Sequence, residues 1–471
     1  MRSLRYNKQK LIIISGYIIS VMCIVALPGL VSTAFSLLFV LLSIGLGYRA
    51  AKCGNRKAST VILLLPITMS VAQNVYLGLG VSHLTSTYLQ ILLTLHFLLI
   101  TGIVILGLET LNKKARWAVL SIAILLIHSA LLFVIYPANL TAMMSSIRNI
   151  LSCLLFYCFG IVMNKRVDTK EYYRWIARIS WLVAIFGLVE RFVGLNVWQT
   201  LNISRLWLMK GIGTNVWGIP NNWYSAELIG GYPIRRMVST FADPVNLGTF
   251  LFAAFMIAWY QKDKILTITL GLCCVLTVSK GALLGFLVFT VVYVWQRKKY
   301  RVFLPLMGVV ALVGGLYFIS YSLTSTTGSV AIHLSGFFSA FDVFRTNPLG
   351  LGVGNVGVLA WMFNESLLDS SVSETGIGMI IAQLGIVGIS VYIFFFTKLG
   401  LAPRNWKNGN SVNAQRQKAL YYTLLFSFIA NAMFNEVALS PNSCGLYFIE
   451  MAFIQSTMNN KNLYLQIIRN T

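Results

Sequence analysis

Apolar runs about as long as a membrane crossing recur along the whole sequence, and short basic segments separate them. A helix rises about 1.5 Å per residue, so roughly 20 apolar residues cross the hydrocarbon of a bilayer. Runs of this kind lie at about 11–27, 30–48, 60–79, 86–108, 117–136, 145–163, 175–195, 244–260, 265–279, 282–296, 302–320, 374–397, 420–438 and 444–458. Charged residues make up 11% of the chain, against roughly 25% in soluble domains. That is too little charge to cover a water-facing surface. The expected fold is all-α: a polytopic integral membrane protein of about fourteen transmembrane helices, forming a single transmembrane domain over 1–471, with the lipid bilayer as its solvent.

The formal charge of +24 invites a nucleic-acid reading, but its distribution argues against one. Of the 37 Lys and Arg, 29 fall in Arg2–Lys10, Arg49–Lys57, Lys113–Arg116, Lys165–Arg178, Lys262 with Lys264, Arg297–Arg301, Lys398–Lys418 and the tail. Those segments carry only Glu109, Asp168, Glu171 and Asp263 as acids. The other eight basic residues lie on the opposite side of the implied topology and face eight acids. This asymmetry is the positive-inside pattern, an orientation signal that makes both termini cytoplasmic. The first apolar run has no small-x-small cleavage site after it and reads as an uncleaved span. The seven cysteines show no metal-ligand spacing, and most sit inside apolar runs as small hydrophobes.

Residues 265–296 are one long apolar stretch broken by Ser279-Lys280-Gly281, with basic segments at both ends. If both ends are cytoplasmic the chain crosses an even number of times, so the stretch is a hairpin of two short helices with Lys280 at its outer turn. A lysine at such a sunken turn needs water or a partner. Two outer segments, about 196–243 and 321–373, are too long for simple connections, and long loops on a rigid scaffold often carry function.

The first of these segments holds Trp198, Trp207, Trp217 and Trp223, and ends in Tyr232-Pro-Ile-Arg-Arg-Met-Val-Ser-Thr-Phe-Ala-Asp-Pro-Val-Asn-Leu-Gly248. Its aromatics either anchor at the headgroups or form faces on which sugar rings stack, with Trp217 and Trp223 the glycan-binding candidates. Arg235 and Arg236 suit an anionic headgroup or a diphosphate, which a guanidinium grips with two hydrogen bonds. In the second segment Leu334, Phe337, Phe338, Phe341 and Phe344 recur at helical spacing, with His333, Ser335, Ser339 and Asp342 polar. An amphipathic helix in the interface plane is expected there. Asn347-Pro-Leu-Gly-Leu-Gly-Val-Gly-Asn-Val-Gly357 follows, its glycines suited to a tight backbone path close to a ligand. Glu374 either caps the span that it opens or, facing a cavity, accepts a proton from a sugar hydroxyl. Glu190-Arg191, Arg148 and Glu436 read as ion pairs. His83, His96 and His128 stand singly, without a second metal ligand.

These elements occur together in an order that resembles the O-antigen polymerase/ligase superfamily of bacterial envelope proteins. The resemblance rests on Arg236 before Phe241-Ala-Asp-Pro244-Val-Asn246, the Ser279-Lys280-Gly281 break, the Pro348–Gly354 glycine stretch, and Glu374 eleven residues before Gly385-Ile-Val-Gly388. It covers about 230–390, and the His333 segment looks most like Wzy-type polymerases of capsules. The resemblance implies a GT-C-like, metal-independent glycosyltransferase without cofactor in the bacterial cell membrane. Its substrates would be undecaprenyl-diphosphate-linked oligosaccharides on the outer face, and a chain-length regulator and a flippase would be candidate partners. Arg236 and Lys280, the latter at the family's Arg position, would hold the diphosphate, with Arg235 the alternative to Arg236. Glu374 would activate the acceptor hydroxyl, and His333 would orient it or act in its place. Ligases of the family usually carry His where Ser373-Glu374 stands, which favours a polymerase. A ligase, or a lipid-linked oligosaccharide flippase, is the rival reading.

Overall fold

The structure, a computed structural model, describes Gly45 and residues 56–458 except 165, 216–217, 230–231, 304, 306–328, 359, 361–374 and 407–411. The expected crossings at 11–27 and 30–48, and nearly all of that at 302–320, lie outside the described residues. The other expected crossings fall on helices. These are α1 (Arg56–Gly80), α2 (Ser86–Leu106), the short α3 (Leu108–Lys114), α4 (Arg116–Ile135), α5 (Leu140–Asn164) and α6 (Thr169–Val193). The short α7 (Asn196–Thr200) and α8 (Ile203–Met209) come next, then α9 (Pro244–Tyr260), α10 (Lys264–Leu276) and α11 (Lys280–Gln296). The last four are α12 (Ser329–Thr346), α13 (Gly376–Leu401), α14 (Val412–Phe434) and α15 (Pro441–Met458).

Among the described residues, four helices are long and apolar enough to cross a membrane: Tyr88–Leu106, Arg116–Ile135, Leu140–Asn164 and Gly376–Arg404. The α9–α11 helices are apolar but shorter. The all-α expectation meets one exception, an antiparallel hairpin of β1 (Tyr224–Ile229) and β2 (Tyr232–Arg235), which pairs Tyr224 with Arg235 and Ile229 with Tyr232.

The core forms around α9 and α5, which are buried on nearly every side, as helices apolar all round must be. Small residues set the closest approaches. Gly160 of α5 lies where a Cβ would press on Ala452 and Ile449 of α15, and Gly281 of α11 lies against Asn431 of α14. The outer faces are as apolar as the core. Leu182, Ile185, Val189 and Phe192 form an exposed stripe on α6, and Ile265, Ile268, Leu272 and Val275 form one on α10. Exposed apolar stripes of this length suit a lipid surround rather than water.

The two ends of the bundle differ in charge. At one end the basic segments meet: Lys170 and Arg174 share a recess with Gln261 and Asp263, and Arg301, Arg404 and Lys418 line another. Asp168 N donates to Thr60 Oγ1 at 3.1 Å, which joins the start of α6 to that of α1. The long 196–243 segment gathers at the other end.

At that second end α13 is broken. Gly385 takes φ 55° and ψ −143°, and the glycine stretch 348–357 runs into the break. Leu351 N donates to Ala382 O (2.9 Å), Gly352 N to Gln383 O (3.1 Å) and Ile386 N to Pro348 O (2.9 Å). His128 Nε2 lies 3.0 Å from Leu349 O and 3.1 Å from Leu384 O; both are acceptors, so this nitrogen carries the proton. The backbone groups freed by the break are thus paired with the loop. The close approach expected of these glycines is therefore to protein backbone. A Cβ on Gly354 would sit 2.6 Å from Met143 N, and one on Gly385 would run into Pro348 O. Gly385→Ala should destabilise the fold by at least about 1–3 kcal/mol from backbone strain alone. Gly400→Ala, on the same helix with only Leu425 in reach at 4.0 Å, should be neutral or stabilising by up to about 1 kcal/mol. Thermal unfolding of the detergent-solubilised variants checks both signs.

Candidate functional site

Asp243 and Pro244 begin the core helix α9. Asp243 Oδ1 accepts from Val245 N (2.9 Å) and Asn246 N (2.7 Å), and proline at the first helical position gives up an N–H that would go unpaired. Asn246, one turn in, accepts the hydroxyls of Ser440 (2.8 Å) and Ser443 (2.6 Å) from the start of α15. The Phe241–Asn246 motif is therefore a helix start that ties α9 to α15.

Before it, extended backbone sends Arg235 and Arg236 to opposite sides. Arg235 Nη2 reaches Glu190 Oε2 at 2.7 Å and the Glu190 carbonyl at 3.1 Å, at the end of α6. Glu190 is fully buried and also accepts from Val238 N (2.9 Å). The diphosphate role considered for Arg235 does not fit, because its guanidinium is committed to this pair. Arg236 turns the other way: Nε donates to Thr277 O (2.9 Å) and Nη1 to Asn222 O (3.2 Å). Met237 N donates to Leu276 O (2.9 Å), so the Arg236 strand lies along the α10–α11 turn that carries Lys280. The two cations matched to the resemblance, 44 residues apart in sequence, thus flank one turn.

Asn222 also donates to Asp243 Oδ2 (2.9 Å) and forms part of the wall of a cavity of about 420 Å³. The wall draws on α1 (Gln73, Asn74), α2 (Gln90, His96), α5 (Ser145, Arg148, Asn149), the segment after α8 (Lys210–Gly213), α9 (Asn246), the α14–α15 link (Glu436, Ser440) and the start of α15 (Asn442). Lys210 Nζ donates to Asn74 Oδ1 at 2.5 Å and lies 4.6 Å over the Trp207 ring. Arg148 Nη1 reaches Leu93 O at 3.4 Å, and its buried Nε has no hydrogen bond. The ion pair expected for Arg148 is not made among the described residues. His96 Nδ1 and Nε2 and Asn149 Oδ1 are likewise buried without a partner. Buried polar atoms are nearly always hydrogen-bonded, so this cluster leaves hydrogen-bonding capacity unused at the cavity wall. Glu436 Oε2 accepts from Val358 N (3.1 Å), which fixes the end of the glycine stretch to the wall.

The tryptophans divide. Trp223 is fully buried, donates Nε1 to Ala242 O (3.0 Å) and packs edge-on to Trp198 with centroids 5.5 Å apart, so no sugar reaches it. The glycan-stacking role expected of Trp223 gives way to a core role, because its ring fills the floor beneath the 196–243 segment. Trp207 forms part of the cavity wall, and Trp217 lies outside the described residues. Glu374 lies outside them too. Its successor Thr375 caps α13 by accepting from Gly378 N (3.0 Å), and Gly376 packs on the backbone of Ala432 and Asn435, next to Glu436. His333 is on α12, which lies against α13 through Ala340 and its neighbours and leaves Phe338 and Phe341 exposed. Among the described residues no cluster of His, Cys, Asp or Glu could hold a metal.

Sequence reasoning missed Lys210, His96, Gln73 and Asn74, and took Arg148 for part of an ion pair. A polar signal was present: Gln73-Asn74, toward the C-terminal end of α1, and Arg148-Asn149, toward the N-terminal end of α5, interrupt apolar runs, and polar residues in a span mark a pathway or site. A scan against protein-family models finds no match for the chain, and a search of curated proteins finds none either.

Burial pushes the Lys210 amine down to about 7, the positive charge of Arg148 lowers it further, and Asp243 partly offsets both. An anion held by Lys210 needs the amine protonated. Affinity for inorganic diphosphate should be greatest below pH 7 and fall by up to tenfold per pH unit above it, until the amine's value in the complex is reached. Titration calorimetry from pH 5.5 to 9 measures this, and Lys210→Arg should flatten the decline. Glu190→Ala, which leaves Arg235 charged and 14% exposed, should cost about 3–5 kcal/mol of stability. Glu190→Leu with Arg235→Met should recover part of that loss in thermal melts.

Proposed function

We propose that the chain is an integral membrane protein of about fourteen crossings, with a GT-C-like arrangement, that polymerises a surface polysaccharide. In this reading the growing glycan, linked to undecaprenyl diphosphate, is transferred to a lipid-linked repeat unit at the outer face of the membrane. The observation that carries it is the cavity, in which Arg148 and Lys210 converge inside a wall of amides and hydroxyls at the end where Arg236 and Lys280 flank one turn. Amide and hydroxyl groups suit sugar hydroxyls, and paired cations suit a diphosphate.

The acceptor hydroxyl oxygen attacks the anomeric carbon of the donor glycan. The bond from that carbon to the diphosphate oxygen breaks, and the electron pair leaves with the diphosphate. Arg148 and Lys210 receive this charge, with Arg236 and Lys280 assigned to the diphosphate by the resemblance; fixed cations in a site shielded from water then do what a metal ion does elsewhere. A carboxylate takes the hydroxyl proton. The resemblance assigns this to Glu374, with His333 orienting the acceptor or acting in its place; of the wall carboxylates Asp243 and Glu436, Asp243 is taken up in capping α9 and holding Asn222, and Glu436 competes for the role. A ligase would use the same leaving-group chemistry on a different acceptor, and a flippase would need no carboxylate at all.

The test is the size distribution of surface polysaccharide in cells with normal membrane levels of Arg148→Ala, Lys210→Ala, Arg236→Ala, Glu374→Gln or Glu436→Gln. Single repeat units should build up on outer-leaflet lipid while long chains vanish, with the rate down on the order of a hundredfold per lost contact. Whichever carboxylate is the base gives the larger loss on change to Gln. Long chains stranded on the lipid would mean a ligase, repeat units trapped inside would mean a flippase, and wild-type polysaccharide in every variant would overturn the site.

A further inference from the structure

At the basic end of the bundle, the turn from α9 to α10 sorts its charges between two recesses. Lys262 adopts a left-handed φ of 63°; its N donates to Trp259 O at 3.2 Å, and Asp263 N to Ala258 O at 3.1 Å. Asp263 turns into the recess that holds Lys170 and Arg174, and its Oδ1 caps α10 by accepting from Leu266 N at 3.0 Å. Lys262 and Lys264 line a separate recess of about 410 Å³, completed by Trp259, Thr267, Ile268 and Arg416. Arg416 comes from α14. Its Nη2 donates to Trp259 O at 2.9 Å, and its guanidinium lies 4.8 Å over the Trp259 ring. Three cations from two distant segments therefore line a recess with no carboxylate in its wall among the described residues.

The recess also has an apolar extension. Ile268, at 73% exposure, belongs both to its wall and to the exposed stripe that continues through Leu272 and Val275 along α10. A ligand with an anionic head and long apolar tails matches this sequence of surfaces, because the cations sit at the end of the helix and the stripe runs from them toward the middle of the bundle. A soluble anion would leave the stripe unused.

We propose that this recess binds the phosphate headgroup of an anionic phospholipid, with its acyl chains along the exposed face of α10. The proposal rests on the chain spanning a bilayer and is independent of any glycan chemistry. Lys262, Lys264 and Arg416 hold the phosphate oxygens, and the Trp259 ring fixes the Arg416 guanidinium in place. The lipid ties α9, α10 and α14 together at the end opposite the cavity.

The experiment uses the full chain in a neutral detergent, titrated with phosphatidylglycerol or phosphatidylcholine and read by native mass spectrometry and thermal unfolding. Phosphatidylglycerol should leave a bound adduct and raise the melting temperature, and phosphatidylcholine should do neither. A basic residue near an anionic surface is worth about a factor of five in binding. Lys262→Gln with Lys264→Gln, both exposed, should therefore weaken phosphatidylglycerol roughly 25-fold without changing the melt of the lipid-free protein. Lys170→Gln with Arg174→Gln, in the neighbouring recess, should leave binding unchanged. Equal loss in both double variants would mean diffuse attraction to the basic end and overturn the proposal. So would equal binding of the two lipids, or displacement of the lipid by glycerol phosphate at matching concentration.

Discussion

A backbone amide or carbonyl buried among apolar side chains must find a partner inside the protein, and most of this architecture follows from that demand. Continuous helices meet it locally, which is why the apolar runs fold as they do. Where a helix is interrupted, another segment has to supply the missing partners. The break in α13 at Gly385 persists because the 348–357 stretch lays its own N–H and C=O groups against Gln383 and Ile386, and because His128 holds two more carbonyls from α4. Glycine is required where these backbones touch, so a stretch that looks like a ligand loop is first a repair of a broken helix.

The cavity is the place where the same demand is left unmet. His96 and Arg148 keep buried nitrogens without partners in its wall, while Glu190 and Arg235 form a buried ion pair at 2.7 Å. Adjacent arginines differ: Arg235 is half of that pair, which anchors the end of α6, and Arg236 braces the turn carrying Lys280. Both are guanidiniums on one strand, and only the face of the strand decides their fate.

Charge asymmetry gives the bundle two chemically different ends. The end with the cavity is rich in amides and carries cations and acids in balance. The other gathers lysines and arginines around the ends of α6, α9, α10 and α14. Amides and two cations line a cavity at one end, and at the other three cations line a recess beside an exposed apolar stripe.

The sequence alone determined the helices, because apolar runs of crossing length leave the backbone no other way to pair its groups; α9 begins and ends where the run at 244–260 does. It also determined the segregation of the basic segments, whereas the cap of α13 is Thr375, one residue after the Glu374 that the sequence offered. It carried the amphipathic α12, whose phenylalanines announce its period. Only the tertiary structure decided that Trp223 is core rather than binding surface, and that Arg236 rather than Arg235 braces the α10–α11 turn. It also decided that Lys210, Arg148 and His96 share one space. Those outcomes depend on contacts between segments tens to hundreds of residues apart, such as Lys210 with Asn74 and Asn246 with Ser443, and periodicity within a single helix holds no record of which other helix it will face.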